Sequence, residues 1–564
     1  MFIIYQKDNK KINELELRNK DIILDNKLLI SENFENIKFY NDQCFVKDEE
    51  MIIVFNGVLL NLYHLLKKYN VLTIKELIVI LYKEDREFFK NFRGNFYGCV
   101  YDIEKDELVV FSDHLSNKPL FYFEDTEYLV VSSSVQRIVE LLRKDNKLKL
   151  NRAGCYSLVT YAYMYYDMTI FDGVKRLVPG WYIDLKNEKM VQYQFYSITN
   201  NKKINISIEE AVDRIDELFT NSIKMQIQKN KEYGLKNYAP LSAGLDSRIT
   251  TMALNRFQAK DIINFTYSET GQLDQKIPMK IARDLGNKWI FKSLDGGLDL
   301  FNIDEAIEIG DSLIYYSWPS QLYDFMNIVN LDNMGIIHTG VLGDVIIGTY
   351  NRSKEKENNP YQMGDGAYST VLLEKLKEAA QENLYENYEV GMLYNRAING
   401  VCLGYSTTFS KYTEACSPFM DVDLLDFCFS LPDSYRLQHR IYYKWVEKYY
   451  PNALNYSHNG LKISTSRLGI NIKKKFIAFD TIPSRVKIAI KNHFNENKGM
   501  NPLDFWYQSN SKLSYYMDSY FEKNKKLQNL DDKIYEDVKK LYKTGNAIEK
   551  TMAITLVGII EKSF

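Results

Sequence analysis

The stretch Leu241-Ser242-Ala243-Gly244-Leu245-Asp246-Ser247-Arg248 follows a short apolar segment and precedes a helical pattern over 249–254. Small side chains at Ser242, Ala243 and Gly244 let a phosphate approach the backbone, and the N-terminus of a following helix adds the positive end of its dipole. Hydroxyls can hydrogen-bond phosphate oxygens, and a carboxylate such as Asp246 beside a polyphosphate is typical of a Mg²⁺ ligand. An ordinary capped strand-to-helix turn has the same composition. These eight residues alone therefore leave a phosphate site and a plain turn as equal alternatives.

A second loop favours the phosphate site. Residues 334–338 are predicted to form a strand, and this strand runs into a glycine-bearing loop over 339–350 with one carboxylate, Asp344. In open parallel sheets ligands bind beyond the carboxyl ends of the strands. Asp246 and Asp344 can then hold one Mg²⁺ from two sides, which we favour over a pair of unrelated turns.

Outside these loops, the chain divides into two regions with different secondary-structure patterns. Before about residue 200, short β-type runs (51–55, 108–111, 128–131) alternate with turns and with helical periodicity over 59–69 and 74–83. The polar stretch 197–203 predicts a boundary, and Ser207 with Glu209 and Glu210 predicts the start of a helix. Predicted strands at 239–241, 262–267 and 289–291 then alternate with helices such as 276–285, and after about residue 365 the pattern is nearly all helical up to a final helix around 553–560. We expect an α+β domain of mostly antiparallel sheet over 1–197. An α/β domain with a parallel sheet and a helical C-terminal part should cover 204–564.

Composition excludes several classes of protein. The 564 residues are 45% hydrophobic and 26% charged, unlike a disordered or fibrous chain. The formal net charge of −2 argues against a nucleic-acid partner. None of the 6 cysteines has CxxC spacing, so they are expected to be buried thiols in a reducing compartment. The charged N-terminal segment does not look like a secretion signal, and the apolar run at 77–81 is far shorter than the ~20 residues of a membrane helix. The expectation is a soluble cytoplasmic protein without an integral membrane segment.

The order of the motifs resembles that of a known family. Residues 242–247 resemble the S-G-G-L-D-S pyrophosphate loop of the ATP pyrophosphatases, with Ala243 in place of the first glycine of the pair. Phe265-Thr266-Tyr267 with Asp274, the loop from Gly340 to Tyr350, and the SPFMD and SLP segments within 417–432 are similar to the asparagine synthetase family. Further forward, 55–61 (FNGVLLN) and 112–122 (SDHLSNKPLFY) resemble the glutaminase domain of that family. The resemblance spans roughly residues 1–465.

The resemblance implies a fold, cofactors and site residues. The front domain would be an αββα sandwich of the Ntn-hydrolase type, and the second domain an ATP-pyrophosphatase-like synthetase that uses ATP and Mg²⁺. Asp246 and Asp344 would bind the metal. The nucleotide would lie against Leu241, Ser242, Ala243, Gly244, Leu245, Asp246, Ser247, Thr266, Tyr267 and Gly340. The catalytic lysine of the family lies in an R-P-K-Q-G-F segment, for which 456–461 is the best match. This leaves Lys462, His458 and Lys444 as alternative catalytic cations.

The sequence also departs from the family pattern. Phe2 stands where the family has its nucleophilic cysteine, and Lys90 and Asn91 stand where a carboxylate recognises glutamine. Val341 and Val345 replace two acids near the acceptor end of the synthetase site. These changes predict a front domain without glutamine hydrolysis and retained adenylation chemistry with a changed acceptor.

Three functions stay open from the sequence. The first is an amide-forming ligase that activates a carboxylate, such as aspartate or a sugar acid, as an acyl-adenylate and transfers it to ammonia or a small amine. The second is a peptide macrocyclase or β-lactam-type ring-closing synthetase, and the third is a non-catalytic nucleotide-binding subunit. The expected partners are a small-molecule carboxylate and ammonia or an amine, with a homodimer or a separate nitrogen donor as open alternatives.

Overall fold

Three large sheets, a two-stranded hairpin and a set of helices make up the computed structural model, which describes residues 1–7, 22–24, 27–34, 38–351, 360–383, 385–457, 469–472, 475–478, 482 and 499–564. The strands are β1 (Phe2–Gln6), β2 (Ile22–Leu24), β3 (Leu28–Ser31), β4 (Cys44–Lys47), β5 (Met51–Leu59), β6 (Gly94–Asp102), β7 (Glu107–Ser112), β8 (Phe121–Glu124), β9 (Tyr128–Ser132), β10 (Lys175–Arg176), β11 (Trp181–Lys186), β12 (Lys189–Gln194), β13 (Lys236–Pro240), β14 (Ile262–Ser268), β15 (Lys288–Ser293), β16 (Met334–His338), β17 (Ala415–Cys416), β18 (Gly469–Ile472) and β19 (Lys475–Ala478).

The α-helices are α1 (Leu62–Tyr69), α2 (Ile74–Glu84), α3 (Val135–Lys144), α4 (Arg152–Tyr161), α5 (Ile208–Glu232), α6 (Leu245–Arg256), α7 (Leu273–Leu285), α8 (Ile303–Ile309), α9 (Ser317–Ile328), α10 (Leu373–Ala379), α11 (Tyr388–Met392), α12 (Leu403–Ser410), α13 (Val422–Ser430), α14 (Asp433–Arg436), α15 (Arg440–Tyr449), α16 (Leu503–Ser509), α17 (Ser511–Lys523), α18 (Lys526–Leu530), α19 (Asp532–Thr544) and α20 (Ala547–Ser563). Short 3-10 turns lie at Tyr40–Asp42, Phe88–Asn91, Asp295–Phe301, Pro418–Met420, Leu437–His439 and Pro451–Asn455, and π-helical turns lie at Val345–Thr349 and Leu393–Cys402.

Two antiparallel sheets stack face to face in the front part of the chain, in the strand orders β10-β8-β9-β1-β3-β2 and β12-β11-β7-β6-β5-β4. Both faces of strand β1 are buried. Ile3 and Tyr5 enter the core between the sheets, whereas Phe2 and Ile4 face the core on the other side, as the two-residue period of a strand requires. Helices α3 and α4 cover that outer face, and α1 and α2 cover the outer face of the second sheet. The predicted αββα sandwich is confirmed.

The third sheet is parallel, in the order β15-β14-β13-β16-β17. Apolar residues of α5 and α6 pack on one of its faces, and Leu322 and Phe325 of α9 pack on the other. The chain moves from β13 to β14 on one side and later returns to β16 on the other. The loops after β13 and β16 therefore leave the same edge on either side of a topological switch point, where ligands of such sheets bind.

Two local expectations differ from the structure. Helix α6 begins at Leu245 and not at 249, so Asp246, Ser247 and Arg248 lie in its first turn. Strand β17 and the β18–β19 hairpin interrupt the region that we predicted to be nearly all helical. Strand β17 has only two residues, too few for a sequence period, and it forms because it pairs with β16.

The C-terminal helices hold both domains together. Arg152 of α4 forms an ion pair of 3.0 Å with Asp531, and the backbone N–H of Tyr316 donates to Thr555 of α20 (2.9 Å). None of the helices in the described ranges is long and apolar enough to cross a membrane. All six cysteines are free thiols.

Candidate active site

The loop after β13 is organised by its own hydroxyl groups. The backbone N–H of Ser242 donates to Ser247 Oγ (3.1 Å), the two Oγ atoms lie 3.0 Å apart, and the N–H of Gly244 donates to Ser242 Oγ (3.1 Å). The N–H of Ala243 donates to Asp274 Oδ1 (2.9 Å) on α7. The loop therefore closes into a compact turn with two hydroxyl groups beside the start of α6.

The N-terminus of α6 has no side-chain cap. Gly244 occupies the N-cap position and has no side chain that could accept a hydrogen bond from the first turn. The first N–H groups of a helix need an acceptor, and an anion supplies one while also interacting favourably with the helix dipole. This 12-residue helix can therefore bind a phosphate at its start.

The loop after β16 packs directly against the first. A Cβ atom added at Gly343 would lie 2.6 Å from Asp246 Cγ, and one added at Gly340 would lie 2.5 Å from the backbone nitrogen of Ser247. Only glycine permits this approach. Between them Leu342 has a φ of 72°, a strained conformation of the kind that clusters at functional sites.

The approach brings the two predicted metal ligands together. The backbone N–H of Asp344 donates to Asp246 Oδ2 (3.1 Å), and Tyr442 donates to Asp246 Oδ1 in a short hydrogen bond. Loss of solvation, followed by the neighbouring carboxylate of Asp344, raises the pKa of Asp246 to about 8 against the opposing effect of the Tyr442 hydrogen bond. Two adjacent carboxylates repel each other when both are ionised. A divalent cation bound between them would stabilise that ionised form.

The pair supplies only part of a metal coordination shell. Among the described residues, no group of three or more His, Cys, Asp or Glu side chains could hold a metal ion. Mg²⁺ is usually bound by one or two carboxylates together with phosphate oxygens and water. Asp246 and Asp344 fit that mode, in which the polyphosphate completes the shell.

A hydrogen-bond chain orients Asp344. Thr349 Oγ1 donates to Asp344 Oδ2 (2.6 Å) and lies 3.0 Å from Nε2 of His439. Because Thr349 gives its own proton to Asp344, His439 must donate to it through Nε2–H. Burial lowers the pKa of His439, which favours the neutral ring that can do so. His439 has a left-handed φ of 58°.

A buried arginine ties the first loop to a distant segment. Arg248 donates from Nη1 to the carbonyls of Ala453 (2.6 Å) and Tyr456 (3.0 Å), and from Nη2 to those of Ala243 and Ser457 (both 3.0 Å). Burial lowers its pKa to about 10. The chain immediately after residue 457 carries His458 and Lys462, two of the predicted cations, which lie outside the described residues.

The third candidate cation, Lys444, faces the surface of α5. Lys444 Nζ donates to Glu209 Oε1 (3.1 Å) on the surface of α5. Lys444 is two residues from Tyr442 on α15, which is about 200° around a helix. Tyr442 contacts Asp246, and Lys444 therefore points away from the aspartate pair.

The remaining predicted nucleotide residues share this edge. Thr266 Oγ1 donates to the carbonyl of Leu241 (2.7 Å) and accepts from Trp289 Nε1 (3.0 Å), with the partly buried Tyr267 next to it at the end of β14. Leu245 is buried in the first turn of α6. A role in binding a nucleotide stays a prediction for all of them.

Sequence reasoning missed Tyr442, Thr349, His439 and Arg248. The Tyr442–Asp246 contact joins residues 196 apart, and the Arg248–Ser457 contact joins residues 209 apart. No local motif marks such partners. The only available signal was that Arg248 directly follows the loop.

In the front domain the position of the missing cysteine is filled. Phe2 is buried within β1. Next to it the α-amino group of Met1 lies 3.0 Å from Glu32 and donates to Ser133 Oγ (2.8 Å), and Asn56 Nδ2 donates to Glu32 Oε1 (3.2 Å). Lys90 forms a surface ion pair with Asp85 (2.6 Å). Groups of the protein itself thus contact the α-amino group of Met1 and Asn56, while Glu32 Oε2 forms the ion pair with Met1 but accepts no hydrogen bond from the described residues.

Comparison with known proteins adds two domain matches. A family model described as glutamine amidotransferase domain matches residues 37–196, and one described as asparagine synthase matches residues 214–396. A Methanocaldococcus jannaschii protein named "Putative asparagine synthetase (glutamine-hydrolyzing) 2" is 23% identical over 256 residues, which cover 43% of this chain. The match spans about half of that relative, 49% of its length. A second protein of that organism, named "Putative asparagine synthetase (glutamine-hydrolyzing) 1", is 21% identical over 450 residues, which cover 77% of this chain and 74% of the relative.

A solved structure also matches in part. The glutamine phosphoribosylpyrophosphate amidotransferase of B. subtilis, complexed with ADP and GMP, is 13% identical, with a TM-score of 0.21. The match covers 51% of this chain and 59% of that one.

Proposed function

Because the chain belongs to the asparagine synthetase family of ligases, we propose that it joins a carboxylate to ammonia or a small amine in an ATP-dependent reaction that does not use glutamine hydrolysis. The carboxylate attacks the α-phosphorus of ATP, which gives an acyl-adenylate and releases pyrophosphate. The amine then attacks the acyl carbon, which gives the amide, AMP and a proton.

One observation carries this proposal: the loops after β13 and β16 meet at the switch point and bring Asp246 and Asp344 together under the uncapped N-terminus of α6. The helix start would bind the departing pyrophosphate. Mg²⁺ held by the two carboxylates would neutralise charge on the phosphates. The partly buried position of the pair strengthens these interactions relative to water.

A cation near the α-phosphate would stabilise the charge that develops in the transition state. Lys462 or His458 would supply it, since Lys444 pairs with Glu209 on another face of α15. Arg248 supports this choice because it fixes the backbone of 453–457, the segment just before both residues. Arg248 is therefore a positioning residue.

The chemistry of the front domain supports ammonia or an amine as the direct nitrogen source. The family's hydrolysis needs a thiol, and Phe2 offers only a buried ring. The nearest cysteine in sequence, Cys44, has a pKa raised by burial. Ammonia or an amine from solution, or from a separate nitrogen donor, would then serve the second step, in the cytoplasm.

The test is pyrophosphate release by the full chain with ATP and Mg²⁺. The acceptors would be aspartate, glutamate and several uronic acids, each with ammonia or with glutamine. We expect release with ammonia and none with glutamine. Asp246→Asn should abolish it, and Asp261→Asn, which changes an exposed aspartate paired with Lys288, is the matched control.

Other outcomes would point elsewhere. If glutamine supported the reaction as well as ammonia, the proposal of an inactive front domain would be wrong. If ATP bound but no acceptor gave pyrophosphate, a non-catalytic nucleotide-binding subunit would be the better explanation. Loss of activity in Asp261→Asn as well would mean that the Asp246 result reports damage to the fold.

A further inference from the structure

One short segment of the chain reaches both aspartates of the candidate metal site. Residues 436–442 run from the end of α14 through a 3-10 turn into the first turn of α15. Tyr442 of this segment donates to Asp246, and His439 reaches Asp344 through the hydroxyl of Thr349. The two aspartates come from different loops, so the segment is a common support for both.

The backbone of the segment places its two site-facing side chains together. His439 is the N-cap residue of α15 and Tyr442 follows three positions later, a spacing that makes side chains neighbours on a helix. Their ring centroids lie 6.4 Å apart. Gln438 and His439 both have left-handed φ values, 55° and 58°, which persist in residues other than glycine only where surrounding contacts hold them. The direction of the His439 ring is therefore fixed by its surroundings.

The start of the segment is anchored in the protein interior. Arg436 is fully buried and donates from Nη2 to both carboxylate oxygens of Glu389. Its Nη1 donates to the carbonyl of Ile346 (3.4 Å), and a Cβ atom added at Gly348 would lie 2.2 Å from the carbonyl oxygen of Arg436. The π-helical turn that contains Ile346 and Gly348 therefore packs directly on the backbone of the segment.

The anchor is held in turn by the linker between the domains. Asn200 Nδ2 donates to Glu389 Oε2 (2.8 Å), and Asn387 Nδ2 donates to Asn200 Oδ1 (2.6 Å). Glu389 is buried and receives donors on both of its oxygens, so its orientation is fixed. The segment thus has a rigid base on one side and the two metal-site carboxylates on the other.

We propose that this segment is a clamp that sets the positions of the two metal-binding carboxylates, with Tyr442 holding Asp246 and His439 holding Asp344 through Thr349. This inference rests on the proposed function. Tyr442, His439 and Thr349 are then positioning residues, because each acts on the metal through a carboxylate. Removal of a group that orients a metal ligand typically costs about 10–100-fold in metal affinity.

The contacts form two arms, which predict different behaviour of double variants. His439 and Thr349 act in series on Asp344, whereas Tyr442 acts on Asp246. Effects of two changes on the same arm should not add, because the first change already breaks the chain of hydrogen bonds. Effects of changes on different arms should multiply, since those side chains share no hydrogen bond.

The test measures the binding of Mn²⁺, a paramagnetic substitute for Mg²⁺ at oxygen ligands, to the full chain by electron paramagnetic resonance. The solution contains α,β-methylene-ATP, which cannot release pyrophosphate. Tyr442→Phe and Thr349→Val each remove one hydroxyl group from a different element, so one remains usable if the other does not fold. Each should weaken Mn²⁺ binding by about 10–100-fold, and the affinity for the analogue at saturating Mn²⁺ should stay unchanged.

Further variants identify the arms. Thr349→Ser keeps the hydroxyl and should bind Mn²⁺ as the wild type does. Adding His439→Leu to Thr349→Val should change Mn²⁺ binding by less than about 2-fold, whereas adding Tyr442→Phe should weaken it by the factor that this change costs in the wild type. Tyr449→Phe is the matched control, because Tyr449 lies on the same helix and its phenol donates to Asp213 at the surface (2.6 Å).

The outcomes for the clamp and for the ligase are distinguishable when pyrophosphate release is measured on the same variants. Mn²⁺ binding that depends on the two hydroxyls, without pyrophosphate release by the wild type, would support the clamp and contradict the proposed reaction. Release by the wild type together with unchanged Mn²⁺ binding in Tyr442→Phe and Thr349→Val would support the reaction and overturn the clamp. Weaker binding of the analogue even at saturating Mn²⁺ would show that these residues act on the fold, and it would overturn the clamp as well.

Discussion

Replacement of Arg248 by methionine tests how the site is positioned. Methionine keeps an apolar stem of similar length but removes the guanidinium that donates to four carbonyls, those of Ala243, Ala453, Tyr456 and Ser457. Arg248 is fully buried in α6, so water does not readily replace those donors. We expect both the stability of the protein and the rate of pyrophosphate release to fall.

The magnitude follows from the contacts. Hydrogen bonds from a charged donor contribute about 1.5–3 kcal/mol each, or roughly 6–12 kcal/mol for four. Burial of the charge, which lowers the pKa of Arg248 to about 10, offsets part of this. Each carbonyl left buried without its donor costs about 1–3 kcal/mol, and with partial relaxation of the segment we expect the free energy of unfolding to decrease by about 3–5 kcal/mol. Because a misplacement of about 1 Å can cost about 10²-fold in rate, kcat should fall by about that factor.

Urea unfolding and pyrophosphate release would measure the two effects. Arg248→Lys, which keeps the charge but not the planar fork, should fall between the wild type and Arg248→Met. Arg283→Met is the matched control, because Arg283 is 72% exposed on α7 and should change stability by less than about 0.5 kcal/mol. A loss of stability with unchanged kcat would show that the 453–457 segment does not position a catalytic group, and a loss of less than about 1 kcal/mol would refute the energetic reasoning.

Four further changes have expected outcomes. Burial lowers the pKa of His338 to about 3, below its value of about 6.5 in the unfolded chain, so protonation favours unfolding. Stability should fall as the pH drops from about 6.5 toward 3, by at most about 1.4 kcal/mol per pH unit, and His338→Gln should flatten that part of a urea-unfolding pH series. Asp344→Asn should reduce Mg²⁺-dependent pyrophosphate release at least about 10²-fold, and recovery at high Mg²⁺ would indicate weakened metal binding alone. Glu389→Gln breaks a buried pair with Arg436 and should cost about 3–5 kcal/mol in urea unfolding, whereas a change below about 1 kcal/mol would contradict a buried charge there. Lys444→Ala should change kcat less than about 2-fold, since it removes only a surface pair worth about 0–1 kcal/mol, and a larger loss would return Lys444 to the site.

The sequence predicted the sheet edge well. Strand β16 has the predicted bounds, and both loops lie at the carboxyl ends of parallel strands as predicted, because strand period and small-residue turns are local properties. The start of α6 was placed too late. Asp246 and Ser247 are residue types that favour turns and N-caps, but Gly244 takes the N-cap position and leaves both of them inside the first turn.

The partners of the site residues were beyond local reasoning. Tyr442 comes from a helix that looks ordinary in sequence, and its contact with Asp246 depends on how α15 packs at the sheet edge. Lys444 illustrates the same limit of prediction from local sequence, because it was predicted as a possible site residue and lies elsewhere. A lysine in an amphipathic helix faces solvent or the site according to the packing of that helix, and here it faces Glu209.

The front domain has a structural role that does not depend on glutamine hydrolysis. Lys229 of α5 and Asp42 of the front domain form a buried ion pair of 3.0 Å, and Lys118 and Glu414 form another of 2.7 Å. Glu414 directly precedes β17, so the second pair fixes the edge strand of the parallel sheet. Removal of the front domain would take away both partners and uncover Lys229 and Glu414, together with Ile336 and Cys416, which pack against Phe39 and Val58 of the front domain. These contacts couple the stability of the second domain to that of the front domain, whether or not the front domain hydrolyses glutamine.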